Sequence, residues 1–99
     1  MKVVIKKVGC LPELVEIDNT LKALQKAVDG YIEAVTVASD MVIICNEEGV
    51  IRGLPYNCTL LGHHFFGKIL FVGVDGEEFA DVPVPLEDIN RMFFGGGCE

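Results

Sequence analysis

No stretch of this chain approaches the ~20 consecutive apolar residues that span a bilayer, so a membrane-spanning helix is not expected. The N-terminal "MKVVIKKVGC" is basic and apolar but is broken by Lys6 and Lys7, which leaves no uninterrupted secretory signal core. Basic residues are scarce: eight Lys and Arg stand against fifteen Asp and Glu, a formal charge of −7. That balance repels polyanions, so neither nucleic acid nor a membrane surface is an expected partner. The acids are scattered and never form a long block, which excludes an acidic disordered tail. CxxC pairs are missing as well. Cys10, Cys45, Cys58 and Cys98 are widely and irregularly spaced, which reads as reduced thiols in a soluble, cytoplasmic protein. Internal repeats and low-complexity segments are also absent.

What the chain has in excess is apolar surface. Exchanging the two Tyr for the eleven Gly raises the apolar share from 51% to about 60%, above the ~45–50% of ordinary globular chains. A chain of 99 residues is expected to form one domain, with 94–99 a frayed tail. Its limited interior makes a homo-oligomeric interface an expected outlet for the surplus.

Along the chain the hydrophobic period changes several times. "KVVIKKV" over 2–8 is rich in β-branched residues and reads as a strand ended by "GCLP", and "LVEI" reads as a short second one. In "DNTLKALQKAVDG", Asp18 or Asn19 can cap a helix whose Leu21, Leu24 and Val28 share one face, and Gly30 suits a left-handed residue past its end. From Tyr31 the period becomes two. "YIEAVTV" and "MVIIC" read as strands joined by an "ASD" turn, and "VIRG" is expected to continue the sheet after "NEEG". "LLGHHFFG" is ambiguous, "KILFVGV" is a strand ending at an Asp75-Gly76 turn, and the two prolines of "EEFADVPVP" mark an edge or loop. Leu86, Ile89, Met92 and Phe93 have helical spacing, with Gly95 to Gly97 as the stop. The expected fold is α+β: a small antiparallel or mixed β-sheet with one helix packed on it and a C-terminal helix.

The stretch "NEEGVIRGLPYN", 46–57, carries two turn devices. Asn46 to Gly49 has the chemistry of a type I turn followed by a left-handed Gly49, and Gly53 to Asn57 is punctuated by Pro55. Turn chemistry alone requires neither Tyr56 nor Arg52. The blocks "GYIEAV", "NEEG" and "GLPYN" resemble, over about 30–72, a family of small proteins from bacterial, plasmid and phage genomes known as a domain of unknown function. The resemblance implies a compact α+β domain in a mobile-element or bacterial cytoplasmic setting. It transfers no catalytic residue. Cys58 and "GHHFFG" stand outside the family pattern.

If 31–37, 41–45 and 50–53 form a meander, NEEG and LPYN lie at opposite ends of strands ~17 Å long. The expected site is then the LPYN end, beside Ser39 and Asp40, with Arg52, Tyr56, Asn57 and His64 contacting a ligand. Arg52 would meet an anionic group or acidic partner surface, and Tyr56 and Asn57 would supply an aromatic face and hydrogen bonds. The plainer reading pairs Arg52 with a neighbouring acid and leaves Asn57 closing a turn. Cys45, Cys58, His63 and His64 match no zinc spacing, and adjacent histidines in a strand point to opposite faces, so neither a metal nor another cofactor is expected. The pairs Glu47-Glu48 and Glu77-Glu78 sit at wet turns, and "FFGGGCE" lacks the lysine and following helix of a phosphate loop. With no catalytic constellation assembled, the expected function is a noncatalytic module that binds a protein or a small anionic metabolite, with a phage-type sponge of host defence signalling as its most concrete form. The alternative is a small hydrolase or transferase using His63 or His64, with Cys58 the one cysteine placed to pair with them.

Overall fold

The computed structural model of the chain describes residues 1–93. Ten elements follow one another: β1 (Lys2–Lys6), β2 (Glu13–Glu16), α1 (Leu21–Val28), β3 (Ile32–Ala38), β4 (Met41–Asn46), β5 (Tyr56–Leu60), β6 (His63–Phe66), β7 (Ile69–Asp75), β8 (Glu78–Ala80) and α2 (Leu86–Arg91). The main sheet runs in the order β2-β1-β7-β4-β3, with β8 added to β7 beyond β1, and every pairing is antiparallel. The fold is therefore α+β, as the alternation of periods implies.

Two apolar layers flank the sheet because its central strands β4 and β7 are apolar on both faces. Val3, Val42, Ile44, Leu70 and Val72 face α1, which buries Leu24 and Val28 against them. On the other face Val4, Ile43, Ile69 and Phe71 are covered by the β5-β6 hairpin through Cys58 and Phe65, by α2 through Ile89, and by Phe93 in the turn that follows α2. Burying each such aliphatic or aromatic side chain contributes about 1.5–3 kcal/mol, which outweighs the weak propensity of an eight-residue helix. Leu21, expected on the same helix face, is exposed, because only the last two turns of α1 lie over the sheet.

Several local expectations change. Thr20 is the N-cap of α1, its Oγ1 accepting from the Ala23 N–H at 3.1 Å, in place of Asp18 or Asn19. Asp29, at φ 63°, takes the left-handed position expected of Gly30. Residues 50–53 form no strand. The seat beside β4 goes to β7, a seven-residue apolar run that can be covered on both faces, whereas Val50 and Ile51 are exposed. Residues 47–53 instead coil through successive turns, with Arg52 N–H donating to Glu48 O at 2.8 Å and Leu54 N–H to Gly49 O at 2.9 Å.

Gly49 does not have positive φ; Gly53 does, at 68°. What Gly49 supplies is room, since a Cβ there would lie 3.0 Å from Phe66 O. The ambiguous "LLGHHFFG" resolves as the tight end of the β5-β6 hairpin, with Leu61 and Gly62 at φ 50° and 79° as a primed turn requires. The expected frayed tail, the glycine stop and Cys98 lie outside the described residues.

Without a strand over 50–53, the chain does not cross the sheet between NEEG and LPYN. Both lie at the same end. Tyr56 pairs with Phe66, whose backbone and Cβ adjoin Gly49, and Asn57 bonds Lys6, which pairs with Ile69 near the Cys45 end of β4. It is the hairpin tip, Leu60 and Leu61, that reaches the Val37–Met41 end, where it borders an apolar hollow of about 320 Å³.

Candidate functional site

The turns at 47–53, the ends of β3 and β4, and strand β6 enclose a cleft of about 270 Å³. Its walls are Val50, Ile51, Phe65 and Phe66, and its polar lining comes from Glu33, Cys45, Asn46, Glu47 and His64.

The loop is held open by ties to the end of α1. Asn46 is buried in a position where its Nδ2 donates to Val28 O at 3.0 Å and its Oδ1 accepts from the Glu48 N–H at 2.8 Å. Arg52 Nη1 donates to Asp29 O at 2.7 Å. Two terminal helix carbonyls that would otherwise lack partners are thereby satisfied by side chains from the NEEG stretch. Gly30 permits this, since a Cβ on it would stand 2.7 Å from Asn46 Nδ2 and 2.9 Å from Arg52 Nη1. Lys68 adds a 3.1 Å ion pair to the Asp29 carboxylate.

The four expected site residues divide. Tyr56 and His64 come together on the outward face of the hairpin: Tyr56 Oη and Thr59 Oγ1 are 2.5 Å apart, and Thr59 Oγ1 is 2.7 Å from His64 Nδ1. The Thr59 hydroxyl thus engages Nδ1 and leaves Nε2 as the ring nitrogen open to a ligand, as donor or acceptor according to the tautomer. Phe66 meets the Tyr56 ring edge-on at 5.7 Å and continues the same face. Arg52 stands at the helix end instead. Asn57 points inward, as the extra residue of a bulge between Tyr56 and Cys58, and is buried.

Asn57 belongs to an interior polar cluster that sequence patterning did not single out. Its Oδ1 accepts from Lys6 Nζ at 2.8 Å, while its Nδ2 donates to Lys6 O at 2.9 Å and Gly67 O at 2.8 Å. The Lys6 ammonium, 1% exposed, also stands 5.3 Å from the centre of the Phe93 ring. A signal existed, because strand alternation puts Lys6 on the face of Val4, which is a core face. Thr59, Glu33 and the Val50-Ile51 pair were also missed; the first could have been found from the alternation that sets Tyr56 and Thr59 opposite Phe66 and His64.

A Cys–His pair is not assembled. Cys58 is fully buried with its side chain inward, whereas His64 is on the outward face, and the His63 ring lies 6.3 Å from that of Phe65. Burial, and then the Glu33 carboxylate, push the Cys45 thiol up to about 11, so it stays protonated at neutral pH. Among the described residues no three His, Cys, Asp or Glu side chains converge as metal ligands, and no helix is long and apolar enough to cross a membrane.

Comparison with curated proteins and with solved structures finds no match. A family model does match, over residues 1–93. The chain belongs to the family defined as domain of unknown function DUF3846.

Proposed function

We propose that the chain is a noncatalytic binding module whose ligand lodges in the cleft between the 47–53 loop and β6, with His64 and Phe66 as its principal contacts. The observation that supports this reading is the held imidazole: Thr59 engages Nδ1, which fixes the ring's placement and leaves Nε2 as the nitrogen open to a ligand, on a residue that lines the cleft. A small number of placed polar groups among apolar walls is the usual form of a small-molecule or peptide pocket.

The lining modifies the expected ligand charge. Glu33 and Glu47 border the cleft, and the Arg52 guanidinium is engaged with Asp29 O, so an uncharged or cationic group with an apolar body fits better than an anion. Acid–base or nucleophilic chemistry has little to draw on, since both cysteines near the histidines are buried and Cys45 is held protonated. A bacterial cytoplasmic or mobile-element setting remains part of the proposal.

The test is a fragment screen followed by amide and methyl chemical-shift mapping on labelled protein. Hits should perturb His64, Phe66, Val50 and Ile51, and His64→Ala should weaken them at least tenfold. Hits that cluster around Leu60 and Met41, or that ignore His64→Ala, would overturn the assignment.

A further inference from the structure

The main sheet ends in two dissimilar edges. β2 is four residues long, begins and ends in glutamate and follows Pro12, features that discourage pairing with another chain. The opposite edge, β3, runs for seven residues as "IEAVTVA", with one charge and neither lysine nor proline. Its only bulge lies near the end, between Thr36 and Ala38.

The hydrogen-bonding direction along β3 can be worked out. Glu47 N–H donates to Tyr31 O at 2.9 Å, and the register sets Ile32 opposite Asn46, so Tyr31 and Glu47 form a hydrogen-bonded pair. Such pairs alternate with non-bonded ones in an antiparallel ladder. The groups of Glu33 and Val35 therefore turn towards β4, and those of Ile32, Ala34 and Thr36 turn away from it. Three residues with one N–H and one C=O each give six backbone groups on the open edge, and none has a partner among the described residues.

We propose that this edge pairs with the β3 edge of a second copy, antiparallel about a two-fold axis through Ala34. In this register Ala34 meets Ala34 of the second copy, Ile32 meets Thr36 and Thr36 meets Ile32, which engages all six groups from each chain's edge. Registers centred on Glu33 or Val35 align only two of the three outward residues, and the Glu33-centred one sets two carboxylates face to face, which is destabilising. About Ala34, Glu33 instead faces Val35. Tyr31, 65% exposed in the protomer, then faces Val37, an aromatic and β-branched cross-strand pair. The small Ala34 side chains meet at the axis, and the two-fold sets α1 of each copy on the same side of a continuous sheet.

A paired ribbon about five residues long is small beside the ~1,000 Å² of a stable interface, so the association is weak and concentration-dependent. Each copy carries −7, and screening that repulsion strengthens association, so the dissociation constant falls as salt is raised from low ionic strength. The proposal rests on the strand edge and is independent of what the cleft binds.

The test is light scattering and sedimentation equilibrium on the whole protein over roughly 5–500 µM, spanning the range of a weak association. The parent should approach twice the protomer mass. Ala34→Pro removes an outward N–H that makes no bond within the protomer, so it should keep its fold by circular dichroism and remain monomeric. Ala34→Cys provides an independent arm: residues in a hydrogen-bonded pair have Cα atoms about 5.5 Å apart, within disulfide range, so mild oxidation should join the two introduced thiols, identified by peptide mass mapping. Val35→Cys should give no such bridge. A parent that stays monomeric throughout, an Ala34→Pro variant that dimerises like the parent, or Ala34→Cys chains that fail to crosslink would each overturn the proposal. Should Ala34→Pro fail to fold, the crosslink and the parent's mass decide.

Discussion

Asn57→Ala should cost about 4 kcal/mol of stability. The side chain makes three hydrogen bonds, one to the Lys6 ammonium at 2.8 Å and two from Nδ2 to the carbonyls of Lys6 and Gly67. A hydrogen bond to a charged group contributes about 1.5–3 kcal/mol and each neutral one about 1, so the sum is about 4. Truncation also leaves Lys6 buried beside the Phe93 ring, with the 3.5 Å contact to Lys7 O as its remaining hydrogen bond. Removing one partner from a buried charge belongs to the most damaging class of substitution. Against a total of about 5–15 kcal/mol, the loss lowers the thermal midpoint by roughly 15–30 °C. Urea unfolding followed by circular dichroism measures it, with Lys6→Met and the double variant completing a cycle. Lys6→Met alone should cost less, because Asn57 Nδ2 keeps both carbonyl partners. If Asn57→Ala costs under about 1 kcal/mol, or the cycle shows no coupling between the two sites, the cluster does not carry the energy assigned to it.

Three other outcomes follow from local geometry. Because burial and Glu33 raise the Cys45 thiol from 9.0 to about 11, its stabilising contribution is complete below about pH 9 and is lost as pH rises towards 11; alkaline unfolding should therefore be milder in Cys45→Ala once its constant packing loss is subtracted, and near pH 8 iodoacetamide should label exposed Cys10 well before Cys45. Gly73→Ala should destabilise by about 3 kcal/mol or more in denaturant titration, since its Cβ would fall 2.0 Å from the Asp81 backbone oxygen, whereas residues around the open Gly62 turn tolerate change. Leu61→Asn should instead raise stability by about 1 kcal/mol in the same assay, because a leucine at φ 50° is strained and Asn-Gly suits a primed turn, while the 71%-exposed side chain gives up little burial.

The elements that were legible in the sequence are those whose apolar period is uninterrupted. α1, β3, β4 and β7 fall within a residue or two of their expected bounds, because burial of one or both faces fixes both the period and the pairing. "VIRG" has β-branched Val50 and Ile51, but three residues between two glycines cannot compete with seven-residue β7 for the central place. The difference reaches the site. A strand at 50–53 would set NEEG and LPYN at opposite ends, whereas the loop returns on itself and leaves both beside β6.

Nothing local in "NEEGVIRGLPYN" could have shown where its side chains end. Asn46 reaches a carbonyl 18 residues earlier and Arg52 one 23 residues earlier, and both contacts depend on a glycine at position 30. The blocks "GYIEAV", "NEEG" and "GLPYN" thus meet one end of the hairpin and α1: Gly30 admits Asn46 and Arg52, Gly49 admits Phe66, and Pro55 O accepts from the Gly67 N–H at 2.8 Å. Their first role is to hold the loop against the helix end and the hairpin. That assignment separates the blocks from the binding groups themselves. Substitutions at Gly30 or Asn46 should act by collapsing or releasing the cleft, whereas His64 and Phe66, outside the blocks, are the proposed contacts to what enters it. On the proposed function, the residues that hold the scaffold and those that would choose the ligand are therefore different sets, and variation at 64 and 66 on an unchanged loop is the change expected to alter what is bound.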